Sequence, residues 1–173
     1  MRRSLHFVPG GNERMIQKAL GLPADGLILD LEDAVTPDKK AATRPIVRGW
    51  LGTLDFRGKE RWVRMNPIFT EYGLADLEET IAGRPDGYVV PKPRRADDIR
   101  RIVAILERLE ERHGVPVGST RLLPICTETP EGLLNVREVA SASPRIAAIS
   151  WGRWVPALAP SHSPASSPKN HRP

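Results

Sequence analysis

The feature that most constrains this chain is a regular alternation. Short apolar runs, each stopped by glycine, proline or a charged pair, are separated by longer segments of helical period. Ser4 to Val8 reads as a strand ended by Pro9-Gly10-Gly11, and Asn12 is placed to cap a helix through Leu20. Gly26 to Leu31 is nearly all apolar, as a strand covered on both faces should be. The spacing then predicts a helix over 38–51, with Pro45 and Gly49 placed to kink or shorten it. It continues with a strand over 61–66, a helix over 74–82, a strand over 87–90 and a helix over 96–113. The last has Ile99, Ile102, Val103, Leu106 and Leu109 on one stripe. A fifth strand over 121–126, a helix over 131–140 and a sixth strand over 145–150 complete the series.

Strands alternating with helices at this spacing give an α/β fold with a parallel sheet. Right-handed crossovers leave two closures, a barrel or an open doubly wound sheet, and periodicity does not choose between them. After Gly152 the composition changes. Residues 153–173 hold five prolines, four serines and no acidic residue, which reads as a disordered Pro/Ser-rich tail, a linker, or residues from a shifted reading frame. The expected domain is therefore 1–152.

Composition narrows the partners. The net charge is +5 and the pI about 9.8, which leaves nucleic acid or acidic metabolites open. The basic residues are scattered and alternate with acids along the helices, so a solvated surface is the better reading and nucleic acid is not expected. The single Cys126, within an apolar run, suits a reducing cytoplasm. The apolar stretch after Met1 is too short for a signal h-region, and no run approaches the roughly 20 residues of a membrane span.

In parallel α/β folds the chemistry sits at the carboxyl ends of the strands. Here the second strand ends in Glu32-Asp33, the third in Arg64 and Asn66, the fourth in Lys92 and the fifth in Thr127-Glu128. Glu128 and Asp33 are hard oxygen donors suited to Mg²⁺. Arg64 offers a planar fork for a carboxylate or a developing oxyanion. Such a set would polarise a carbonyl and steady an enolate, the needs of carbon–carbon cleavage beside a carbonyl. His6 and His113 read as ordinary strand and helix-end residues. Gly10-Gly11 before a helix reads as a turn, with phosphate binding as the alternative.

Several segments occur in one recognisable order: RSLHFVPG at 3–10, LILDLEDAVTPDKKAATR at 27–44, VRMNP at 63–67, DGYVVPKPRRADD at 86–98, PICTETPEGLLNVREVA at 124–140 and PRIAAISWG at 144–152. Together they resemble the citrate lyase beta subunit-like family within the HpcH/HpaI aldolase group. The resemblance implies a (β/α)₈ TIM barrel, of which this chain carries about six strand–helix units. It implies a homo-oligomeric, Mg²⁺-dependent lyase that splits citryl-, malyl- or citramalyl-CoA, or an acyl-carrier thioester, into an acyl thioester and a 2-oxo acid. Some relatives hydrolyse the thioester instead.

By motif, Arg64 matches the catalytic and substrate-binding arginine, and Glu128 a metal-ligating, substrate-contacting glutamate. Glu32 and Asp33 match an acidic pair near the metal, and Lys92 a lysine of less defined role. The departure is at the sixth strand, where the family continues WG-x-x-D-L and Val155 stands in place of the second metal-ligating aspartate. A complete barrel takes about 250 residues. The expectation is an incomplete barrel with exposed edges, prone to aggregate or dependent on a partner, with weak Mg²⁺ binding and little lyase activity. A non-catalytic thioester- or partner-binding protein and a basic nucleic-acid-binding protein are the rival readings.

Overall fold

The computed structural model describes residues 2–152. Five strands, β1 (Leu5–Pro9), β2 (Gly26–Asp30), β3 (Glu60–Arg64), β4 (Gly87–Pro91) and β5 (Arg121–Ile125), form one sheet in the order β1-β2-β3-β4-β5, every pair parallel. Sequential order settles the closure. A doubly wound sheet reverses its strand order at a switch point, whereas right-handed crossovers between successive neighbours carry every helix to the same side and curl the sheet toward a barrel. The helices are α1 (Glu13–Leu20), α2 (Lys40–Thr53), α3 (Glu71–Thr80), α4 (Ala96–His113), α5 (Pro130–Leu134) and α6 (Val136–Ala140).

Alternation along each strand sorts the core into two layers. Leu27, Leu29, Val63, Tyr88, Val90 and Leu122 join the larger cluster, with Ile16, Val47, Leu77, Ile99 and Leu106 from the helices. Ile28, Trp62, Val89, Leu123 and Ile125 form a smaller cluster on the inner face. The Trp62 ring packs against β4 at Gly87. A Cβ on Gly87 would stand 2.4 Å from the Trp62 Cζ3 and 2.6 Å from the Arg121 carbonyl, so only glycine fits there.

Local expectations hold where periodicity was strong. The α4 boundaries are those predicted, and Asn12 caps α1, its Oδ1 accepting from the Met15 N–H at 3.1 Å. Three expectations need correction. The helix around Pro45 is not shortened; it runs from Lys40 to Thr53 because Thr43, Arg44, Val47, Trp50 and Leu51 bury one continuous face. The helix expected over 131–140 is two, α5 and α6, divided at Asn135, whose amide turns aside to donate to the Arg94 carbonyl at 2.9 Å. The sixth strand is reduced to two parallel bridges, Leu122↔Ile146 and Ile125↔Ser150. Pro124 has no N–H to donate, and pairing resumes out of step on its far side.

Segment 146–150 and β1 are the outer members of the sheet among the described residues, and Phe7, Ile149 and Trp151 lie exposed there. The tail expected over 153–173, with Val155, lies outside the described residues.

Candidate active site

The site forms where β2, β3, β4 and β5 end. Asp30 and Arg64 are register partners on the last rung shared by β2 and β3, and both follow the inner-face alternation set by Ile28 and Trp62. Arg64 Nε and Nη2 donate to the two Asp30 carboxylate oxygens at 2.8 and 2.6 Å, a bidentate fork that fixes the guanidinium plane. Asp30 in turn accepts from the Glu32 and Ala34 N–H groups and so shapes the turn that carries the acidic pair. The Phe7 ring, its centroid 5.0 Å from Arg64 Cζ, covers one face of the guanidinium.

The remaining edge of Arg64 faces outward. Nη1 lies 3.1 Å from Glu32 Oε2 and 3.5 Å from Asp33 Oδ2. Glu32 is buried and its Oε2 makes no hydrogen bond despite this ion pair, whereas the Asp33 side chain is 66% exposed. Lys92 closes the cluster. Its Nζ is 2.5 Å from Glu32 Oε1 and 3.7 Å from Asp33, and its backbone N–H donates to Glu128 Oε2 at 3.0 Å. Gly152 packs against Glu128, seated by reciprocal hydrogen bonds with Thr127, whose Oγ1 donates to the Gly152 carbonyl and accepts from its N–H.

The charges respond to this crowding. Burial pushes the Glu32 carboxyl up, despite the hydrogen bond from Lys92 and the charge of Arg64. Burial likewise raises Glu128, against the opposing Lys92 N–H. Desolvation works against the charged forms of Arg64 and Lys92, but the carboxylates around them win and raise both. Among the described residues Arg64 and Lys92 pair with these carboxylates and Lys40 acts on them from behind, so four acids, Asp30, Glu32, Asp33 and Glu128, meet three cations and the rim is short of positive charge.

That deficit suits a divalent cation, and Glu128 Oε1 accepts no hydrogen bond among the described residues. No group of three or more His, Cys, Asp or Glu side chains is arranged as a metal site among those residues. Mg²⁺ commonly keeps several waters and takes one or two carboxylates. The described donors therefore fit a weakly held ion with Glu128 as its protein ligand, rather than a closed cage.

Arg64, Glu32, Asp33, Lys92 and Glu128 thus come together as one constellation. Asn66 stands behind it, buried, its Nδ2 donating to the Leu31 carbonyl and to Asp76 Oδ2. His6 is exposed on β1 and His113 ends α4, both outside the cluster. Sequence reasoning missed Asp30, and it missed a buried support for the Glu32 turn. Lys40 Nζ donates to the Leu31 and Glu32 carbonyls at 2.9 and 2.8 Å, while Arg44 pairs with the fully buried Asp76 at 2.7 Å. The available signals were an acid closing an otherwise apolar strand and two cations four residues apart on α2. Between the loops after β1 and β2 lies a cavity of about 500 Å³, lined by Gly10, Gly11, Asn12, Thr36, Lys39 and Thr43 among others.

An unreversed parallel α/β sheet with a carboxylate–cation rim at its C-terminal edge is a barrel-type arrangement, the fold class in which sites lie at that edge. Residues 3–154 match the HpcH/HpaI aldolase/citrate lyase family, and the chain belongs to it. It is 37% identical over 150 residues to a (3S)-malyl-CoA thioesterase of Cereibacter sphaeroides (strain ATCC 17029 / ATH 2.4.9), covering 87% of this chain and 48% of that protein. It is 38% identical over 151 residues to the citrate lyase subunit beta of Escherichia coli K12, covering 87% and 50%. The chain thus spans about half the length of these relatives.

Among solved structures, a citrate lyase from Burkholderia xenovorans LB400 superposes with a TM-score of 0.74 at 23% identity, covering 86% of this chain and 48% of that one; it supports the fold alone. The CitE protein of Mycobacterium tuberculosis in complex with magnesium and acetoacetate superposes with a TM-score of 0.64 at 26% identity, covering 87% and 54%. No helix among the described residues is long and apolar enough to cross a membrane.

Proposed function

We propose that this rim is the 2-oxo-acid half of a carbon–carbon lyase site of the citrate lyase beta type. Its substrate class is a 3-hydroxyacyl thioester such as citryl-, malyl- or citramalyl-CoA, and its products are an acyl thioester and a 2-oxo acid. The observation that carries the reading is the pinned guanidinium of Arg64. Asp30 occupies one edge of it, and the other, backed by the buried Glu32, also meets Asp33, an exposed partner that an incoming carboxylate can displace. Arg64 would bind the acid end of the substrate and steady negative charge on oxygen as the bond breaks. Lys92 holds Glu32 in place beneath it, and Glu128 faces the same space. A Mg²⁺ ion, held by Glu128, would supply Lewis-acid polarisation of the 2-oxo acid carbonyl. The cavity beside Lys39 would take the carrier arm of the thioester.

With Glu128 as one carboxylate ligand and Val155 where relatives of this type carry another, the reading includes weak Mg²⁺ affinity and slow turnover. The same observation favours a second reading, a non-catalytic thioester binder. One experiment tests both. Malyl-, citramalyl- and citryl-CoA are titrated calorimetrically with and without Mg²⁺, and acyl-CoA, free CoA and 2-oxo acid are then assayed. Mg²⁺-dependent binding with slow 2-oxo acid release, both lost in Arg64→Ala, supports the lyase. Binding without any product supports the binder, and no binding with or without Mg²⁺ removes both.

A further inference from the structure

Among the described residues, three other than glycine have positive φ: Arg57 (53°), Arg84 (55°) and Lys92 (51°). Two have local causes. Arg84 is the left-handed cap of the 3₁₀ turn Ile81–Gly83, and Arg57 sits in a tight turn in which Asp55 accepts its N–H. Lys92 has neither. It leaves strand β4 directly and precedes Pro93, a position that ordinarily forces extended backbone.

Such a conformation persists only where the surroundings over-determine it, and here they do. Pro91 is held in register with Ile125. The Pro93 carbonyl presses so closely on Gly132 that a Cβ there would stand 2.3 Å from it. The Arg94 carbonyl accepts from Asn135, and the Arg94 N–H donates to Asp98 at 2.8 Å. The outcome of this constraint is specific. One strained residue presents its N–H to Glu128 from one side and its ammonium to Glu32 from the other.

We propose that Lys92 is the positioning residue of the rim, its left-handed backbone fixing where Glu128 stands relative to Glu32 and Arg64. The role rests on the functional reading above only in its consequence for ligand binding; the geometry stands apart from it. The flanking contacts hold the residues on either side, and the ammonium bond to Glu32 completes the constraint on Lys92 itself. Removing the anchor while keeping a Cβ lets the turn relax toward extended backbone and releases Glu128. Removing both leaves glycine, which adopts positive φ freely and keeps the N–H in place.

The test compares Lys92→Ala with Lys92→Gly in the full chain, because neither carries the ammonium and they differ only in tolerance of positive φ. The first readout is the residue-92 amide in ¹H–¹⁵N NMR. It is expected downfield and protected from exchange in the wild type and Lys92→Gly, shifted by Glu128→Gln, and unprotected in Lys92→Ala. The second is Mn²⁺ binding in the presence of pyruvate, followed by electron paramagnetic resonance, with Lys92→Gly binding at least about fivefold more tightly than Lys92→Ala. Equal amide protection in both variants, or Mn²⁺ affinities within twofold of each other alongside an unchanged wild-type value, overturns the proposal. If Glu128→Gln binds Mn²⁺ and pyruvate as the wild type does, the functional reading falls instead, and the amide readout still decides the role of Lys92.

Discussion

Asp30 and Arg64 face each other across one rung of the parallel sheet, joined by two nearly parallel hydrogen bonds of 2.8 and 2.6 Å. Their side chains are only 4% and 12% exposed. In a parallel sheet, register partners project to the same face, so the hydrogen-bond register that builds the fold also aims the guanidinium. The cation that would meet substrate is thus set by backbone pairing two strands deep, and its direction does not depend on a loop.

Replacing Asp30 by Asn should therefore disarm Arg64 without touching it. The asparagine keeps one acceptor but loses the charge and the second acceptor, and it leaves a guanidinium buried beside Glu32. Breaking a buried pair from one side costs about 3 kcal/mol. The expected result in urea denaturation is a loss of that size, together with loss of pyruvate binding. Arg64→Lys should fold better than Asp30→Asn but also fail to bind, because an ammonium cannot hold Asp30 through a planar fork and still present a second edge. Wild-type affinity in Arg64→Lys would contradict this.

Asp76 supports the site from behind. It is fully buried, pairs with Arg44 on α2, and accepts both the backbone and the side-chain N–H of Asn66 at 2.7 Å. Asp76→Ala strands a buried arginine and frees the Asn66 amide that steadies the Leu31 carbonyl. A stability loss of about 3 kcal/mol or more is expected by chemical denaturation. A double-mutant cycle with Arg44→Met should recover part of it. Strictly additive losses would show that the pair is not coupled.

These supports explain what the sequence made legible. Arg64, Glu32, Asp33, Lys92 and Glu128 could be placed together because each follows an apolar run, and strand ends share a rim in any parallel α/β fold. Asp30 was hidden one step earlier, read as a position inside a buried strand over 26–31. Lys40, Arg44 and Asp76 were hidden because a charge on an amphipathic helix ordinarily faces water, and nothing local marks the ones that turn inward. The closure of the sheet was equally beyond periodicity, since strand order is a long-range property. The break at Asn135 had a tertiary cause, its side chain reaching back to Arg94.

Gly87 gives a test of the inner layer. With the Trp62 ring 2.4 Å from where a Cβ would stand, Gly87→Ala must displace either the indole or β5. Overpacking of this kind costs about 1–3 kcal/mol. Trp62 Nε1 donates to Glu60, and Arg2 and Arg121 flank the ring at 5.1 and 5.5 Å, so the indole has little room to yield. The expected signature is a lower Tm with altered tryptophan fluorescence. An unchanged Tm would mean that the inner layer is loosely packed.

Glu110 should contribute to the pH dependence of stability at the acid end, beside Glu60, which the hydrogen bond from Arg2 also holds down to about 2. Burial alone would raise the Glu110 carboxyl, but Arg145 donates to both its oxygens at 2.8 Å, and the Gly118 and Thr120 N–H groups add two more bonds, holding it down to about 2. A carboxyl depressed in the folded state contributes stability that is fully present above its unfolded value near 4.3 and is lost as pH falls toward the folded one. Water at the exposed turn carrying Gly118 screens part of the effect, leaving about 2 kcal/mol to disappear between roughly pH 4.5 and 2. Arg145 leads directly into segment 146–150, so this pair also fastens the outermost bridge of the sheet to α4. In Glu110→Gln the stability–pH curve should flatten across that window, and amide exchange should show Ile146 and Ala147 opening before β2. An unaltered acid transition in the variant would assign the acid sensitivity to other carboxylates.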